Sequence, residues 1–272
     1  MSLEKLSREH YSQIAPLFSD LRFNLVVDSI LDGNTPAWVY ANHVEHPGVA
    51  LMWNRMDAVL LGVRQTRIDD IDSLRRVLHD EIIPEARKTG IPELTFFSDF
   101  QNHYHLVAAL VENLNFHTAK RKFYHFKKPK NNLHSPIAVD AELYKMAADM
   151  FSGQKDRNEQ RVLGWILSFW ESIDAFLERG FGFYVVHNNQ IASWCLSVYT
   201  SGNHYELGLE TAGNFRQKGF ATATAAAAVK YCDEEGFVPH WHCWNDNEGS
   251  IAVAQKVGFF RPMGYRVFRI SL

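Results

Sequence analysis

The stretch Arg216-Gln217-Lys218-Gly219-Phe220-Ala221 constrains this chain more than any other, because of what stands on either side of it. Before it runs Tyr205-Glu206-Leu207-Gly208-Leu209-Glu210-Thr211, short and strand-like. After it, Ala221-Thr222-Ala223-Thr224 and a run of alanines lead to Val229, a strongly helical segment. A strand, a glycine turn and a helix start in succession make a site for an anion. The N–H groups of the first helical turn lack partners within the helix, and the helix dipole favours negative charge beside them. Gly219 permits close approach of a phosphate, Ala221 keeps the first turn thin, and Arg216 and Lys218 add positive charge.

Arg-x-x-Gly-x-Ala after a strand ending in Glu-Thr resembles the pyrophosphate loop of the GNAT superfamily of acyl-CoA-dependent N-acyltransferases. Asn247-Glu248-Gly249-Ser250, followed by Val257-Gly258-Phe259, is similar to the close of a GNAT unit. Ser193-Trp194-Cys195-Leu196-Ser197 and Trp241-His242-Cys243-Trp244 resemble the branch that includes zwittermicin-type resistance acetyltransferases. The resemblance covers roughly residues 137–272. It implies acetyl-CoA as co-substrate, its pyrophosphate on the loop and helix start formed by Arg216, Gln217, Lys218, Gly219, Phe220, Ala221 and Thr222. It implies that Leu207, Gly208, Leu209 and Thr211 hold the pantetheine and thioester, with the Leu209 N–H as oxyanion donor. Asn247 and Ser250 are implied near the CoA chain; both residue types also favour helix N-caps, and the two roles are compatible.

Acyl transfer to an amine requires a group that takes the amine proton and a donor for the developing oxyanion. Glu210 ends the strand before the loop and is the preferred base. Glu206, four residues back, shares its strand face and serves as the second carboxylate, taking the proton or orienting a substrate cation. A surface carboxylate at a strand end is the plain alternative for either. Many GNAT enzymes carry a tyrosine seven residues after the asparagine, where it protonates the leaving thiolate; here the position is Ala254. Tyr205 and Tyr265 could replace it by residue type only, so no acid is assigned. His240 and His242 alternate on one strand face, yet no second Cys/His pair stands at ligand spacing, so no metal is expected. His242 could touch substrate. Trp165, Phe169, Trp170 and Phe176 recur at near-helical spacing, as a core stripe does, and some of these rings could line an acceptor cleft.

The order of elements repeats. Strands near 37–40, 49–53 and 58–61, a helix over about 70–89 closed by Gly90 and Pro92, a strand at 94–97, a helix over 106–114 and a strand at 122–126 make one set. Strands at 183–186, 191–199 and 205–210, the alanine helix closed by Gly236, a strand at 240–243, a helix to Val257 and a strand at 264–268 make another. Helices are also expected over 3–31, 139–151 and 157–179. The expected fold is α+β, with tandem GNAT-like units of mixed, mostly antiparallel sheet flanked by helices. Residues 1–130 form a degenerate first unit with Val63-Arg64-Gln65-Thr66-Arg67-Ile68-Asp69 where the phosphate loop should stand, and 137–272 the catalytic unit. The joint falls in the polar, Pro-bearing stretch Lys127 to Pro136.

A net charge of −3 over 272 residues argues against general nucleic-acid or membrane-surface binding, despite the basic run from Lys120 to Lys130. Three cysteines without a CxxC pair fit a reducing, cytoplasmic setting, and no signal or spanning segment is evident. The expected function is acetyl transfer from acetyl-CoA to a primary amine of a small molecule. The alternative is a non-catalytic acyl-CoA-binding or sensing protein, favoured by the missing tyrosine.

Overall fold

The computed structural model describes residues 2–64, 68–127, 140–151 and 157–272. In chain order its elements are β1 (Glu4–Lys5), α1 (Tyr11–Ile14), α2 (Val26–Leu31), β2 (Trp38–Ala41), β3 (Val49–Trp53), β4 (Ala58–Val63) and α3 (Ile68–Arg76). A π-helical turn (Val77–Ile82) joins α3 to α4 (Ile83–Lys88), and β5 (Glu93–Phe97), α5 (Phe100–Leu110) and β6 (Phe116–Phe126) follow. The remainder is β7 (Ala141–Lys145), α6 (Arg157–Phe169), α7 (Ile173–Arg179), β8 (Gly182–His187), β9 (Gln190–Ser201), β10 (His204–Thr211), α8 (Phe220–Glu235), β11 (Val238–Trp244), α9 (Glu248–Val257) and β12 (Phe259–Ser271).

The chain forms two compact units, one of residues 1–121 and Tyr265–Leu272, the other of Lys122–Gly264. In the first, β1 through β5 lie in order, with only β4 and β5 parallel, and the Phe268–Ser271 part of β12 pairs antiparallel with β5. Phe268 and Ile270 thereby enter a core with Leu51, Trp53, Leu61 and Phe96, all at most 1% exposed. The π turn is a consequence of Pro84. Its ring lacks the N–H that would bond to the Asp80 carbonyl and would clash with it, and a wider turn relieves both. Gly90 closes this helical run at φ 77°.

In the second unit β7–β8–β9–β10 is an antiparallel run, and β11 joins β10 in parallel. The alanine face of α8 allows close packing. Ala225, Ala228 and Val229 lie on Cys195, Leu207 and Trp241, and α9 adds Ala254 and Val257 to the same core. Gly236 at φ 73° ends α8, with the Phe237 N–H bonded back to the Cys232 carbonyl.

Several expectations need correction. Residues 141–145 are strand β7 and 148–151 a 3-10 turn, so no helix spans 139–151; the alternation in Ala141 to Lys145 pairs with β8 instead. The helix expected over 157–179 is two, broken where Ser172 caps α7 and the Trp170 indole donates to the Ser197 carbonyl. Helix α5 spans 100–110 rather than 106–114, started by Asp99, whose side chain accepts from the N–H groups of Gln101 and Asn102. Residues 4–5 form strand within the stretch expected to be helical. The residues expected to replace a phosphate loop in the first unit fall partly, at 65–67, outside the described residues, as does most of the joint after Lys127.

Candidate active site

Strand β10 presents two different faces. Tyr205 and Leu207 join the core under α8 and α9, with Leu209 packed against it. Glu206, Gly208 and Glu210 take the opposite face, as period two requires. A bulge in β9 at Val198 shifts the register between Glu206 and Leu207, so that Glu206 faces Tyr199, Leu207 faces Ser197 and Gly208 faces Leu196. Gly208 is where helix α6 comes closest. A Cβ there would meet Val198 Cγ1 at 2.5 Å and Trp165 Cζ3 at 2.9 Å.

The parallel partner is soon lost. Strand β11 pairs with β10 over His204–Glu206 only, ending at Glu206 opposite His240. Past that point β10 keeps its antiparallel neighbour as far as Thr211. The Ala212 N–H donates to Ala192 in β9. By alternation the N–H groups of Gly208 and Glu210 also face β9, while that of Leu209 faces the side on which β11 has left. Leu209 therefore offers a main-chain donor into the gap between two diverging strands. The His242 side chain is 1% exposed although the residue as a whole is less buried, so its accessible surface is main chain along the same gap.

The loop after β10 leads directly to a bare helix start. Gln217 has φ 62° and Gly219 φ 83°, two left-handed residues that turn the chain sharply into α8. Gly219 is the N-cap, no side chain caps the helix, and the first bond of this end runs from Ala223 N–H to the Gly219 carbonyl. The amides of Phe220, Ala221 and Thr222 precede that bond and carry the positive end of the dipole. Arg216, Gln217, Lys218 and Gly219 are exposed, Ala221 and Thr222 half-buried, and Phe220 is anchored in the core. Such a start fits a pyrophosphate, whose charge would meet oriented N–H groups and two flanking cations.

At the start of α9, Asn247 Oδ1 accepts the Ser250 N–H at 3.0 Å, and the Ser250 hydroxyl accepts from the Trp241 indole at 3.1 Å. The capping role of Asn247 is thus filled, and Ser250 ties α9 to β11. Ala254 is fully buried among Trp241, Val253 and Val257 in the core. Tyr205 is buried in that same core, where desolvation pushes its hydroxyl pKa up, and Tyr265 belongs to the other unit.

The carboxylates on the open face of β10 stand in contrasting surroundings. Glu206 is 7% exposed, and its Oε2 lies 3.6 Å from His242 Nε2. Glu210 is more open and is engaged by the Arg161 guanidinium, which also lies over the Trp194 ring. Trp165 meets Trp194 edge-on at 6.1 Å, and Phe169 meets Tyr199 at 5.4 Å, so these two rings of the aromatic stripe face the sheet beside the carboxylates. Trp170 and Phe176, by contrast, are core. The sequence by itself assigns no catalytic part to Arg161 or Trp194; it places Arg161 four residues before Trp165, on the same helical face.

The profile of the GNAT acetyltransferase family matches residues 15–268. The chain belongs to that family. An uncharacterised N-acetyltransferase of Bacillus subtilis, YdfB, is 26% identical over 267 residues, covering 98% of each chain. A GCN5-related N-acetyltransferase-like protein from Streptococcus suis shares the fold at a TM-score of 0.68 and 18% identity, over 96% of this chain and 98% of that one. A tandem GNAT protein from the clavulanic acid biosynthesis pathway does so at 0.60 and 15% identity, over 99% and 98%. The α+β fold of mixed, mostly antiparallel sheet flanked by helices is thus that of this family, tandem members included. Among the described residues no helix is long and apolar enough to cross a membrane.

Proposed function

We propose that this GNAT protein moves the acetyl group of acetyl-CoA to the primary amine of a small molecule, by direct attack within the unit formed by Lys122–Gly264. The observation that carries the reading is the divergence of β11 from β10 just after Glu206, beside an uncapped helix start. The amides of Phe220 to Thr222, with Arg216 and Lys218, hold the pyrophosphate, and Gln217 and Gly219 shape the turn. Leu207, Gly208, Leu209 and Thr211 line the gap for the pantetheine, with Asn247 and Ser250 at its far wall. The Leu209 N–H meets the thioester oxygen as it gains charge.

Glu206 takes the amine proton and Glu210 orients the acceptor, the reverse of the sequence preference. Arg161 already neutralises Glu210, while Glu206 stands beside His242 at the point where β11 leaves β10. The acceptor arrives as its ammonium ion: Glu206 takes one proton and frees the lone pair, and as the C–N bond forms and the C–S bond breaks the nitrogen gives a second proton to the thiolate. With Ala254 at the usual tyrosine position, solvent supplies the second transfer. The branch likeness in Ser193–Ser197 and Trp241–Trp244 favours an aminated compound of the antibiotic type as acceptor. Three buried free cysteines fit the reducing cytoplasm.

The test is calorimetric titration of acetyl-CoA into the wild type and Gly219→Asp, followed by a thiol-release screen over primary amines. Binding to the wild type with at least tenfold weakening in the variant is expected, since aspartate adds strain at a positive φ and repels phosphate. Absence of binding to the wild type would sink the proposal.

A further inference from the structure

Behind Glu206 the sheet carries a group of imidazoles that acetyl transfer leaves unused. His242 stands 3.6 Å from the Glu206 carboxylate, the two side chains being 1% and 9% exposed. The Phe123 ring stacks on His242 with centroids 4.8 Å apart and planes 29° from parallel, and it also lies 5.5 Å from His240. His240 Nε2 and His204 Nδ1 are 2.8 Å apart, and His125 lies 5.0 Å from Phe123. Glu206 from β10 thus faces His242 directly, His240 shares its face of β11, and His204 from β10 and His125 from β6 act on His240.

A buried carboxylate that accepts a proton becomes neutral and stops working until the proton moves on. An imidazole is a better resting place for that proton than a carboxylate, by its ordinary basicity. Resting on the acetyl-transfer reading, we infer that His242 is the positioning residue for Glu206, fixing its carboxylate toward the acceptor and relieving it of the proton it takes. An N–H of the acceptor ammonium breaks as a Glu206 O–H forms, freeing the lone pair that attacks; that O–H then breaks as the His242 Nε2–H forms, through one water bridging the 3.6 Å between the two groups. The second nitrogen proton goes to the thiolate sulfur, and the imidazolium returns its proton to water once the products leave.

The experiment is an NMR titration of histidine-labelled protein, with the His242 resonance assigned by its loss in His242→Gln. In Glu206→Gln the His242 midpoint should fall by about one pH unit or more, because the carboxylate that favours the imidazolium is gone. Glu206→Asp, which draws the carboxylate back, should lower it in the same sense and serves if the glutamine variant fails to fold. A midpoint that stays or rises overturns the inference. For any amine accepted in the thiol-release screen, His242→Gln should lower kcat at least tenfold, leave the KM for acetyl-CoA unchanged, and alter the acid limb of the pH profile. A unchanged limb likewise overturns it. Acetyl-CoA titration separates the two readings: no binding to wild type removes acetyl transfer and the relay together, whereas binding with an unmoved His242 removes the relay alone.

Discussion

The guanidinium of Arg161 donates to the carboxylate of Glu210 while lying over the Trp194 ring. One of the two carboxylates on this face of β10 is thereby matched with a cation from α6, and the other is left beside an imidazole. Glu206→Gln should lower kcat by about 10²–10⁴-fold, the usual worth of a general base, with little change in the KM for acetyl-CoA. Glu210→Gln should cost kcat less than tenfold and act mainly on the KM for the amine. Steady-state thiol release measures both, and equal losses in kcat would refute the division of roles.

Gly208 is a steric requirement. Alanine there would press its methyl on Val198 Cγ1 at 2.5 Å and Trp165 Cζ3 at 2.9 Å. Overpacking of this kind costs about 1–3 kcal/mol. Thermal unfolding of Gly208→Ala should show a lower Tm, and pairing it with Trp165→Ala should recover part of the loss. A Tm equal to that of the wild type would mean that α6 moves away freely.

Burial, with the neighbouring His204 and His125, pushes the His240 pKa down to about 4 from its usual 6.5. The unfolded chain then binds more protons than the folded one between those values. The stability tied to His240 is full above pH 6.5 and is lost as pH falls toward 4, an effect on the order of 2–3 kcal/mol. Denaturant midpoints measured from pH 7.5 to 4.5 should decline over that window. His240→Asn, which has no proton to take up, should flatten the decline.

Much of this arrangement is legible in the sequence where local chemistry decides it. Gly219, Gly236 and Gly90 mark turns that only a left-handed residue completes, and the alanine run fixes both α8 and its close packing. The face shared by Glu206 and Glu210 follows from strand periodicity alone. What the sequence hides depends on partners far along the chain. Ala141 to Lys145 is a strand because β8 offers it an edge, and Arg161 reaches Glu210 across 49 positions. Likewise the bulge at Val198 exists only in the pairing of β9 with β10. Local spacing announces neither the strand nor the bulge, and puts Arg161 only on the helical face of Trp165, without its partner.

Deleting Tyr265–Leu272 should unfold the unit formed by residues 1–121 before the other. Val267, Phe268 and Ile270 are at most 1% exposed, and removing large core side chains costs about 2–5 kcal/mol each. Hydrogen exchange should show protection lost first at β5, where Phe268 to Ser271 pair with Phe96 to Glu93. Retained protection at Leu94 and Phe96 would contradict this.

That membership also orders events during synthesis. Most of the first-made unit emerges from the ribosome early, yet the strand that finishes its sheet is translated only after all of Lys122–Gly264. Until then β5 has an open edge and an incomplete core, a state that invites chaperones and mispairing. Maturation of the amino-terminal half is thus timed by the carboxy-terminal one, so a ribosome stalled just before Tyr265 would release a chain whose first-made unit is the unfinished one.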